Sequence, residues 1–193
     1  MKNNPIHDID VGFSVIPALT PKNTAMDQEG LKASERIDEI MMMCDREHPV
    51  YEQISSFSIA LYALGFFDCP DLMSLTDMDA REAAAILQEN FTEIRQAALP
   101  AHYRITESRD RYLLVVGDPL FPVHFAALVD GQSPRPFFSK LPFFGSGFDS
   151  LEELIGEFAG RDGLTPEDVH FFKRTWYGRI PPEAVGKIYI VKH

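Results

Sequence analysis

The sequence predicts an α+β fold: an N-terminal three-helix segment packed on a small antiparallel β-meander, with two short C-terminal helices. Three observations predict it. Residues 1–100 carry 7 Lys and Arg against 17 Asp and Glu, whereas residues 101–193 carry 11 against 12. Aromatic residues run the other way, 7 in the first stretch and 15 in the second. Apolar residues recur at three- and four-residue steps before Pro100 and in short β-branched and aromatic runs after it. Helices first and strands afterwards make α+β the expected class.

With 193 residues, 45% of them hydrophobic and 24% charged, the chain has the make-up of one globular domain. The expected boundaries are an extended arm over 1–26 and a single domain over 27–193. Within that domain, 27–100 is an acidic helical part and 101–193 an aromatic-rich sheet part. The arm contains Pro5, Pro17 and Pro21 and no helical period, but Val11, Phe13, Val15 and Ile16 give it apolar surface to dock.

From Gln28 to Cys44, Leu31, Ile37, Ile40, Met41 and Cys44 fall on one helix face. Pro49 suits the first turn of a second helix, Val50 to Phe67, which is apolar on nearly every side and so expected at the centre. Thr76 and Asp79 have the spacing of a capping box for a third helix, running through Ala80 to Leu99 until Pro100 stops it. Its face is Ala84, Ile86 or Leu87, Phe91, Ile94 and Ala98.

Four strands are expected next: Tyr103–Thr106, Arg111–Val116, Pro122–Val129 and Arg135–Leu141, separated by turn residues such as Gly117-Asp118-Pro119 and Asp130-Gly131. Leu113 to Val116 is apolar on both faces, which requires cover on both sides. Helices are expected over Leu151–Phe158 and Pro166–Trp176, the latter because Thr165-Pro166-Glu167-Asp168 reads as cap, first-turn Pro and acids at the positive helix end. Ile188–Val191 is a candidate last strand.

The net charge of -11 argues against direct nucleic-acid binding, which needs a basic surface. The N-terminus lacks a basic patch followed by an apolar core, and the most apolar run, Phe57 to Phe67, is too short to span a bilayer, so a cytoplasmic location without membrane contact is expected. Cys44 and Cys69 fit neither a zinc site nor a disulfide framework. No histidine pair has metal spacing, and Gly-x-Ser-x-Gly and His-Glu-x-x-His are missing. No catalytic residue, metal or cofactor is therefore expected.

Three segments carry the candidate binding residues. Gly145-Ser146-Gly147 before a helix start could cradle an anion, but Asp149 would repel a phosphate, so a strand-to-helix turn is the simpler expectation. His124, mid-strand, together with Phe138 and Phe144 could line a pocket between sheet and helices; Glu107, Asp118 or Ser139 could partner the imidazole. Lys173, Arg174, Trp176, Tyr177 and Arg179 combine residue types that dominate protein interfaces. The function expected is that of a non-enzymatic interaction or regulatory protein with a protein partner. A basic partner is electrostatically favoured, as for an acidic inhibitor or immunity-type protein, and a homodimer is the alternative partner. The alternative function is a small-molecule-binding domain or enzyme using the aromatic-lined pocket.

Overall fold

A computed structural model describes residues 22–47, 54–67, 69–159 and 164–175. The candidate strand Ile188–Val191 and residues 1–21 of the expected arm lie outside the described residues. The α+β class holds. Four helices, α1 (Lys22–Met43), α2 (Ser56–Ala63), α3 (Ala80–Asn90) and α4 (Leu151–Phe158), accompany six strands. The strands are β1 (Thr92–Ile94), β2 (Asp110–Val116), β3 (His124–Leu128), β4 (Phe137–Lys140), β5 (Ser146–Asp149) and β6 (Val169–Thr175). All pair antiparallel in one sheet of order β1-β6-β2-β3-β4-β5.

The meander expected from the sequence is realised in β2 to β4, while β5 forms where a strand-to-helix turn was expected. The rest departs from expectation in instructive ways. Pro166–Trp176 was expected as a helix, but the Thr165 signature closes only one 3-10 turn, Pro166–Asp168. The Asp168 carboxylate accepts from the Thr165 N–H at 2.7 Å and its hydroxyl at 2.9 Å. The chain then enters β6, which pairs with all seven residues of β2. Backbone pairing along a buried strand outweighs a cap signal worth about 1 kcal/mol. The expected helix to Leu99 ends at Asn90 for a related reason: Phe91 turns extended, and Thr92–Ile94 adds β1 to β6. Tyr103–Thr106 is a turn segment, joined to the sheet by one bridge between Arg104 and Asp130. At the other end, α1 begins at Lys22, so residues 22–26 are helical rather than extended.

Side-chain alternation sets the two layers. Phe125 and Ala127 face α2, with the Phe57 and Phe125 rings meeting edge to face at 4.9 Å. Ile37 and Ile40 of α1 join Ile59, Tyr62 and Phe138 in a core on this side. On the opposite face His124, Ala126 and Leu128 lie under α4, and the Phe158 ring sits 4.7 Å from His124. Tyr103 extends this cover along the strand, its ring 5.0 Å from that of Tyr112. The α3 capping box forms at Asp79 with Glu82 rather than at the expected Thr76 with Asp79, because the helix starts only at Ala80, and Ser150 with Glu153 starts α4. Buried Cys44 is not joined to Cys69 by a disulfide.

Gly145 and Gly147 owe their identity to a crossing rather than to an anion. After α1 the chain runs along the outer edge of β5, where the Ser146 N–H donates to the Cys44 carbonyl at 2.6 Å and Asp45 bridges Ser146 in parallel. A Cβ on Gly145 would lie 1.7 Å from the Asp45 carbonyl oxygen. The Arg46 side chain lies against Gly147 and ion-pairs with buried Asp149. This strap covers an edge that would otherwise be open to pairing. At Gly156, in α4, an added methyl would meet only open space, with no atom within 4 Å. Gly145→Ala should therefore destabilise the protein by at least ~2 kcal/mol, as an overpacked site does, whereas Gly156→Ala should stabilise it by up to ~1 kcal/mol through helix propensity. Urea unfolding of the two variants checks this; a Gly145→Ala effect below ~0.5 kcal/mol would contradict the crossing.

Candidate functional site

Antiparallel order places the β2–β3 and β4–β5 connections at the same end of the sheet. In the first, Gly117 takes a φ of +92°, a conformation glycine adopts freely. The Asp118 carboxylate accepts the Leu120 N–H at 2.8 Å, and the Asp118 carbonyl accepts the Phe121 N–H at 2.7 Å. This tight turn points Leu120 and Phe121 away from the core, leaving them 55% and 74% exposed. In the second connection the Phe144 N–H donates to the Leu141 carbonyl at 3.2 Å. Phe143 has a φ of +63°, an uncommon and strained conformation for an aromatic residue. It is 86% exposed and Phe144 is 51% exposed. Val123 also reaches solvent.

Between these connections and the start of α2 lies a cavity of about 470 Å³. Its described walls are Ile54 to Phe57 on the helix side and Val123 and Lys140 to Phe143 on the sheet side. Lys140 is only 5% exposed and is the one formally charged residue among these walls. The helix side is held by Asp77. Its carboxylate accepts the Ser55 N–H at 3.0 Å, the Ser55 hydroxyl at 2.7 Å and the Ser58 hydroxyl at 2.5 Å. Burial pushes the Asp77 pKa up, but those hydrogen bonds together outweigh it and hold the carboxyl below its usual range.

The residues singled out by sequence scatter. Phe144 is at this loop end. Phe138 is wholly buried under α1 and α2, its ring 5.1 Å from Phe148. His124 is wholly buried on the opposite face, and neither ring nitrogen has a hydrogen-bond partner. The Ser139 hydroxyl, also unpartnered, shares its burial without bonding to it. Lys173 and Arg174, as neighbours on a strand, point to opposite faces and form no single basic patch. The Lys173 ammonium pairs with Asp110 at 2.7 Å. The Arg174 guanidinium stacks 4.7 Å from the centre of the Phe66 ring. Trp176, Tyr177 and Arg179 lie outside the described residues.

Phe121, Phe143 and Lys140 were missed as site residues. Their signal was legible: Leu120-Phe121 sits between Pro119 and Pro122, and a large apolar residue in a tight turn has no core to enter. Among the described residues no helix is long and apolar enough to cross a membrane, and no three His, Cys, Asp or Glu side chains gather to hold a metal ion. No family model, curated protein or solved structure matches the chain.

His124 has a measurable consequence even without a role in chemistry. Burial, and secondarily the nearby Lys140 charge, push its pKa down to about 3. Above about pH 6.5 the imidazole is neutral in both folded and unfolded chains. As pH falls from 6.5 toward 3, only the unfolded chain takes up the proton, so stability is lost by up to ~1.4 kcal/mol per pH unit. Asp77, held low, adds its own loss only below about pH 4. Unfolding free energies should fall between pH 6.5 and 5 in the native sequence, and this limb should flatten in His124→Leu. The same slope in both proteins would contradict the buried neutral imidazole.

Proposed function

We propose that this chain is a non-enzymatic interaction protein of the cytoplasm that docks a protein partner through the loop end of its sheet. One observation carries the reading: Leu120, Phe121, Val123, Phe143 and Phe144 are all exposed on the two connections at that end. Clustered apolar surface of this kind costs solvation in an isolated protein and marks interaction sites. Phe143 supports it further, because backbone strain is retained where it presents a side chain for use. The acidic excess of residues 1–100 favours a basic partner by raising its association rate. An inhibitor that covers a basic site is one such arrangement. A small-molecule-binding domain is the second reading, and the cavity beside Lys140 is what favours it.

The test compares the native sequence with a Phe121→Ser/Phe143→Ser variant as bait in extract of the native host. Both residues are exposed, so the melting temperature should stay within the small range typical of surface changes. A partner retained by the native bait and lost by the variant supports the reading, with dissociation faster by roughly 30-fold or more if the two rings act as anchors worth ~2 kcal/mol or more. Identical capture by both baits would overturn it.

A further inference from the structure

The helix that covers the β3 face opposite α2 rests on an uneven base. α4 sends only Leu154 and Phe158 fully into the protein, and the Phe158 ring lies over His124. That imidazole is wholly buried, with both nitrogens lacking a hydrogen-bond partner. Val116 stands opposite it on β2, and Ala126 follows on the same face of β3. The Ser139 hydroxyl, on this face of β4, is buried and unpartnered as well. At its other end α4 starts beside a cavity of about 330 Å³, lined by Leu128, Phe137 and Phe171 of the sheet and by residues 150–152. The helix is thus seated at its middle and its end but not at its start. With eight residues it is too short to persist as a helix without that seat.

No charge around the ring favours its protonation. Lys140 of β4 is the charge that acts on it, and it opposes the proton. On β2 and β6 the nearest residues are Val116 and Val169. The carboxylates of the surrounding elements do not bond to the ring. On α4, Glu153 pairs with Arg135 at 2.5 Å, Glu152 is exposed and Glu157 half-buried. Asp149 of β5 ion-pairs with Arg46, while Asp118 and Asp168 accept from the Leu120 and Thr165 N–H groups. An imidazolium in this place has no acceptor and no water, so the ring is protonated only where solvent reaches it.

We propose that α4 is an acid-released cover: on mild acidification it lifts from the sheet as a unit, His124 takes up a proton from solvent, and the apolar face of Ala126, Leu128 and Phe137 is bared. Lifting α4 breaks no strand pairing, whereas reaching His124 from within the sheet requires opening the β2–β3 ladder. What is lost is the helix itself, its Ser150 cap and the exposed Glu153–Arg135 pair, which contributes little. The bared face lies on the side of the sheet away from α2, so the device stands apart from the loop-end docking surface.

Native-state hydrogen exchange on the whole protein, read as protection factors at pH 7 and pH 5, tests this. The amides of Leu154 and Ala159, bonded to the Ser150 and Ile155 carbonyls, report on α4. At both pH values they should be protected at least about tenfold less than the β2–β3 ladder, as a unit that opens by itself is. Their protection should fall about 20-fold from pH 7 to pH 5, the change expected when an imidazole of ordinary pKa is uncovered. Glu153, held low by the Ser150 N–H and by Arg135, responds only below this window. In His124→Leu the α4 protection factors should stay within about twofold over the same range. If that variant folds poorly, urea decides on the native sequence: opening of α4 alone leaves its exchange nearly insensitive to low urea, whereas opening of the whole fold follows urea as the ladder does. Unchanged α4 protection between pH 7 and pH 5, an equal fall in His124→Leu, or α4 exchanging in step with the ladder would each overturn the proposal.

Discussion

Arg111 to Val116 of β2 are buried on both faces of the sheet, and a strand in that position needs four kinds of company. It requires a hydrogen-bonding neighbour on each side and an apolar layer above and below, because unpaired backbone groups and solvated Leu or Val are both costly. β3 and β6 supply the neighbours. α2, apolar all round, supplies one layer, and α4 with the Tyr103 segment supplies the other. Arg111 on β2 meets the same demand in part, its Nε being buried without a hydrogen-bond partner. Arg111, buried to 4% exposure, donates from its guanidinium to the Ser108 and Asp110 carbonyls at 2.6 and 3.0 Å.

That arrangement fixes where exposed apolar surface can occur. The sheet faces are covered, and the β5 edge is closed by the Cys44–Arg46 strap lying on Gly145. Apart from Met42 and Met73, the exposed large hydrophobic residues among those described lie on the β2–β3 and β4–β5 connections. At one end the Arg104–Asp130 bridge ties the β3–β4 connection back to the Tyr103 segment. At the other, two tight turns carry aromatic residues outward beside a cavity that Lys140 helps to line. Docking at this end would leave the packed core undisturbed, which is how a rigid scaffold presents a binding loop.

Much of the fold was legible because local and tertiary preferences agreed. The α1 face at Ile37, Ile40 and Cys44, the β2 and β3 runs, and α4 with its Ser150 start are all written in short-range periodicity. β6 and β1 were not legible, because Thr165 to Asp168 is a genuine local cap whose continuation is decided by β2, more than fifty residues away. The glycines of Gly145-Ser146-Gly147 drew attention correctly, but their reason, contact with Asp45 and Arg46, is invisible without the topology. Of the candidate site, Phe144 was found and Phe138 and His124 belong to the core. Strand alternation alone cannot say whether a Phe or His faces a cavity or a helix; here both faces are packed.

Docking through the loop end is the central claim, and its most direct measurement is hydroxyl-radical footprinting of the chain in extract of its native host against the purified protein. A radical-sensitive dye added to both samples serves as the reference for radical dose. The account predicts that Phe121, Phe143 and Phe144, all exposed, oxidise readily in the purified protein and are protected in the extract at matched dose. Equal oxidation of the three aromatic residues in extract and in isolation would contradict it.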